Sequence, residues 1–74
     1  MSEATRKTIN YVVACVDEFA RRKKMTSRAA FLYLYQYQGL QFLEEFYDVE
    51  HTLSMEDALD DLELICRRNG GKLP

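Results

Sequence analysis

The sequence predicts an all-α fold, a compact single-domain bundle of about four helices. Three observations carry that expectation. Apolar residues recur at three- and four-residue intervals through most of the chain. Each apolar stretch is bounded by residues that start or stop helices: Thr26 or Ser27, Gly39, Ser54, and the Asn69–Gly71 run. The one stretch whose alternation suits a strand has no second strand to pair with.

The first helix is expected over residues 5–24. Ile9, Val12, Val13, Val16, Phe19 and Ala20 share one face at helical spacing, and Asn10, Asp17, Glu18, Arg21 and Arg22 fill much of the remainder. Thr26 or Ser27 then caps a second helix over 27–38 by accepting an early backbone N–H. Its core, RAAFLYLYQYQ, alternates Phe31, Tyr33, Tyr35 and Tyr37 as a strand would. Read as a helix, it is apolar around most of its circumference, so part of it must be covered by something else. Gly39 breaks this segment as a cap or a bend. A third helix over 40–50 follows, with Leu40, Leu43, Phe46 and Tyr47 inward and Glu44, Glu45 and Asp48 outward. Ser54, with Asp57 three residues on, opens the last helix over 54–69. Met55, Ala58, Leu59, Leu62, Ile65 and Cys66 form its apolar stripe, and Arg67 and Arg68 suit its C-terminal dipole. Short flexible ends are expected at 1–4 and 70–74.

Composition narrows the functional classes. A 74-residue chain with 47% apolar and 30% charged residues is a globular composition, but its core is small and self-association would help it. No stretch approaches a membrane span, and MSEATRKTIN has no apolar core with a cleavage site, so a cytoplasmic location is expected. Cys15 and Cys66 fall beside apolar stripes and read as reduced core residues. With one histidine and no C-x-x-C spacing, neither a metal nor a cofactor is expected.

The net charge of −2 hides a segregation. Residues 1–28 carry seven basic and three acidic side chains, whereas residues 41–66 carry nine acidic and no Lys or Arg. The basic run over 21–28, with Arg21, Arg22, Lys23, Lys24 and Arg28, is the one candidate for gripping phosphate. The low pI of about 5.3 and the acidic second half argue against nucleic acid. Catalytic motifs are also missing: there is no G-x-S-x-G, no H-E-x-x-H and no glycine-rich loop. Asp57, Asp60, Asp61 and Glu63 read as a solvated helix face.

His51 is the only histidine. Catalysis would require Asp48 or Glu50 as its partner in an accessible pocket. A structural role needs one hydrogen bond, to Tyr47, Asp48 or a carbonyl at the end of the third helix. The structural role is expected, with Thr52 tying the same turn.

The stretches NYVVACVDEFARRKKM and FLEEFYDVEHTLSMEDALDDLELICRRNG together resemble a small bacterial family, domain of unknown function 3791, over nearly the whole chain. The most specific part is Tyr47, Asp48, His51 and Thr52 within YDVEHT. FLYLYQYQGL is richer in tyrosine than the family pattern. The family brings no enzymatic activity with it. Its genes often lie beside genes for proteins that look like ADP-ribosyltransferase-type toxins, so the resemblance implies an antitoxin or immunity partner.

A non-enzymatic protein-interaction module is therefore expected, with Phe31, Tyr33, Tyr35 and Tyr37 as the partner interface. The alternatives are a small DNA-binding regulator using the 21–28 run and a self-associating domain, such as a homodimer.

Overall fold

Ser2 starts the first helix, because its side-chain oxygen accepts the Thr5 backbone N–H at 3.1 Å. Helix α1 thus spans Glu3–Lys23, beginning two residues before the expected Thr5. The structure, a computed structural model, describes residues 2–72. Met1, Leu73 and Pro74, which belong to the expected loose ends, lie outside the described residues.

Helix α2 follows at Ser27–Gln36, capped by Thr26, then α3 at Gly39–Glu45, the single turn α4 at Tyr47–Glu50, and α5 at Met55–Arg68, capped by Ser54. The fold is all-α, and the ambiguous tyrosine-rich segment is helical. Among the described residues four helices have seven residues or more, as the periodicity implies. Among the described residues no helix is long and apolar enough to cross a membrane. At about 1.5 Å per residue α1 is roughly 31 Å long, and it sets the long dimension of a 37 × 22 × 21 Å molecule.

The expected 40–50 helix is broken at Phe46, whose φ of −109° and ψ of 24° leave the helical region. The break turns Tyr47 toward α1 and leaves Phe46 exposed, with its ring 5.2 Å from that of Phe42. Phe46 therefore does not complete a buried face.

The core is built from Cys15, Val16, Phe19 and Ala20 of α1, Ala30 and Leu34 of α2, Leu43 of α3, and Leu59, Leu62 and Cys66 of α5. Both cysteines are buried and free. The buried face of α1 is rotated from the expected one. Tyr11 and Cys15 turn inward with Val12 and Val16, and Ile9 and Val13 are left exposed. The apolar arc of α1 is simply wider than the area α2, α3 and α5 can cover.

Gly39 neither caps α2 nor bends it. The left-handed residue is Gln38, at φ 69°, and Gly39 is the first residue of α3. Its missing side chain is what matters: a Cβ there would lie 2.9 Å from Leu34 Cδ2 and 3.1 Å from Cys66 Sγ. Both neighbours are fully buried and have little room to move. Gly39→Ala is expected to cost about 1–3 kcal/mol through overpacking. An unchanged urea midpoint would remove this account of the glycine. Gly71, expected in a loose tail, is buried against Tyr33 and Tyr37, and its N–H donates to the Cys66 carbonyl at 2.9 Å.

Candidate functional site

The turn after α4 is held by contacts within a few residues. His51 Nδ1 donates to the Tyr47 carbonyl at 2.6 Å, and the two rings stack with centroids 4.3 Å apart and planes 7° apart. Thr52 Oγ1 donates to the Val49 carbonyl at 2.6 Å. Tyr47 in turn meets the Tyr11 ring edge-on at 5.5 Å. Carbonyls at the end of a short helix need such donors, and His51 and Thr52 supply them. Asp48 is exposed and borders, with Tyr47 and His51, an open cleft of about 590 Å³ between the start of α1 and the α3–α4 corner. Glu3, Lys7, Glu44 and Glu45 complete its polar rim.

This geometry suits a latch. His51→Ala is expected to cost about 1 kcal/mol by removing the ring contact and the side-chain bond to the Tyr47 carbonyl, which keeps only the residue-51 backbone N–H at 3.0 Å. Thermal unfolding followed by circular dichroism checks it, and a melting temperature equal to that of the wild type would refute the latch.

Beneath the latch lies a polar cluster that the sequence reading did not anticipate. Glu50 is only 4% exposed, and its Oε1 has no hydrogen-bond partner. Tyr11 Oη donates to the Glu50 main-chain carbonyl at 3.0 Å, and the buried Cys15 lies one helical turn on from Tyr11. Burial, then a hydrogen bond and like charge from Asp61, push the Glu50 carboxyl up to about 7. Burial also raises the Tyr11 hydroxyl and the Cys15 thiol. Asp61 is half-buried here, not part of a solvated face. The spacing did hold a signal for Glu50: Leu43, Tyr47 and Glu50 stand at i, i+4 and i+7, one inward row.

The basic run is largely occupied by the chain itself. Arg21 pairs with Glu18 at 3.2 Å. Arg22 pairs with Asp60 at 2.7 Å and also donates to the Glu56 carbonyl, while Lys23 pairs with Glu63. Asp60 and Glu63 therefore join α5 to the end of α1, which corrects their reading as purely solvated charges. Lys24 and Arg28 remain exposed. Among the described residues, no three metal-binding side chains converge.

The four aromatic residues assigned to an interface divide into two pairs. Tyr33 stacks on Phe19 at 5.8 Å and touches Tyr37 at 5.0 Å, and both are half-buried against the core. Phe31 and Tyr35 point the other way and are exposed, with ring centroids 6.4 Å apart and planes parallel. Leu32 is exposed beside them.

A family model described as "Protein of unknown function (DUF3791)" matches residues 10–69. The chain belongs to this family. The DUF3791 span covers the aromatic helix, the Tyr47–Thr52 latch, Glu50 and all of α5. No curated protein and no solved structure matches the chain.

Proposed function

We propose that this DUF3791 protein is a non-enzymatic interaction module of the cytoplasm, and that Phe31, Leu32 and Tyr35 make its contact surface. One observation carries the reading: α2 keeps Tyr33 and Tyr37 for the core and presents two stacked aromatic rings and a leucine to solvent. Large rigid side chains are costly to leave wet, and they bind with little loss of conformational freedom. The pairing of Arg22 and Lys23 with α5 weighs against the nucleic-acid alternative, since it occupies two of the five cations that reading requires.

The finer proposal names the partner as an ADP-ribosyltransferase-type toxin encoded nearby, which the chain neutralises. Its support is the family resemblance together with the acidic C-terminal half, which would steer a basic partner toward it. The test is co-expression with the neighbouring gene product. Wild type should co-purify with it and restore growth, and a Phe31→Ser/Tyr35→Ser double variant should do neither. If wild type neither binds nor protects, the antitoxin proposal fails. If the double variant protects as well as wild type, α2 is not the contact surface.

A further inference from the structure

The exposed face of α2 continues across its seam with α1. Ser27 Oγ donates to Asp17 Oδ1 at 2.8 Å, which fixes the two helices side by side there. Val13 and Ile9 lie one and two turns before Asp17 on the same row of α1, and Phe31 and Tyr35 lie one and two turns after Ser27 on α2. The helices run back from a short turn, residues 24–26, and the Ser27–Asp17 bond sets the start of the α2 row beside the α1 row. Glu44 of α3 borders Ile9 on one side and Tyr35 on the other, which closes the patch at its far end. Ile9, Val13, Phe31 and Leu32 are about half exposed, and Tyr35 is 68% exposed. Five large apolar side chains in one patch exceed the scattered exposure of an ordinary surface.

We propose that this patch is the two-fold interface of a homodimer. The inference rests on the reading of α2 as a contact surface, and it names a second copy of this chain as the occupant. The argument is charge complementarity. Arg28 stands at one end of the patch, beside Phe31 and Leu32, and Glu44 stands at the other, beside Tyr35. Among the described residues neither belongs to an ion pair. With Lys24 and Arg28 against the single carboxylate of Asp17 at the turn end and Glu44 at the other, the surface is complementary to itself under a two-fold rotation. That rotation brings Arg28 of each copy to Glu44 of its mate and sets the guanidinium over the Tyr35 ring. The dimer keeps the face dry when no other partner is bound, so a foreign partner on the same face competes with the second copy.

Light scattering and sedimentation of the whole chain at tens of micromolar test this, with circular dichroism confirming that each variant is folded. Wild type is expected at twice 8.7 kDa. Tyr35→Ser is expected at the monomer mass, and Arg28→Glu and Glu44→Arg should each weaken association at least tenfold. The Arg28→Glu/Glu44→Arg double variant should recover the dimer, which only cross-pairing of these two positions explains. A monomeric wild type overturns the inference, as does a dimer indifferent to Tyr35→Ser or a charge swap that restores nothing. A monomer that still captures a foreign protein through Phe31 and Tyr35 would overturn the homodimer and leave the interaction reading standing. A dimer that captures none would do the reverse.

Discussion

Replacing Glu50 with glutamine is expected to stabilise the protein by about 2 kcal/mol at pH 8, roughly 10 °C in melting temperature for a chain of this size. At pH 5 the same substitution should change little. In the unfolded chain the carboxyl ionises near 4.5, and in the fold near 7. Below 4.5 both states are protonated, so no charge is buried. Between 4.5 and 7 the unfolded chain releases its proton first, and stability falls as pH rises. Above 7 both states are ionised and the full cost is present. The groups facing Glu50 are Tyr11 and Cys15 from α1 and Asp61 from α5, and none of them supplies a positive charge. Glutamine keeps the shape and offers Asp61 an N–H donor at every pH. Denaturant titrations of both proteins at pH 5, 6, 7 and 8 decide the matter. A wild type equally stable across that range, or a Glu50→Gln variant that keeps the slope, would refute the account.

Tyr33 and Tyr35 are two residues apart on one helix, and their alanine variants should behave in opposite ways. Tyr33→Ala removes a ring that stacks on Phe19 and covers Gly71, and should cost about 2 kcal/mol. Tyr35→Ala removes an exposed ring and should stay within about 0.5 kcal/mol of wild type when both are unfolded at concentrations low enough to be monomeric. Association should respond the other way, surviving Tyr33→Ala in the folded fraction and failing with Tyr35→Ala. The combined measurement is urea unfolding alongside sedimentation. Equal stability costs at the two positions would show that the sides of α2 are not distinguished as described.

This contrast also marks where the sequence was legible. Helix positions and the caps at Thr26 and Ser54 follow from spacing and from side-chain oxygens placed to accept an early N–H. Which arc of α1 and α2 faces inward does not, because both helices carry more apolar surface than the core covers. Ile9 and Val13 fit a buried stripe as well as Tyr11 and Cys15 do, and the positions of α2, α3 and α5 select between them. Glu50 was missed because residue type outweighed position. Its place on the row of Leu43 and Tyr47 pointed inward, but a glutamate is ordinarily assigned to solvent. In sequence Gly39 suggests a cap or a bend, because glycine signals conformational freedom before it signals close packing. The Tyr47–Thr52 latch was legible because its contacts span only three or four residues.

Helix α5 packs against both α1 and α3, contributes Leu59, Leu62 and Cys66 to the core, and binds the end of α1 through Asp60 and Glu63. The earlier helices therefore cannot complete their packing while the chain is being synthesised, until the segment through Cys66 has been made. During translation Phe19, Leu34 and Leu43 lack their final wall, and the ammonium and guanidinium groups of the first helix lack their carboxylates. Closure of this domain is thus timed by the emergence of its last helix from the ribosome. A nascent chain stopped before Ser54 should be a client for chaperones that hold apolar segments.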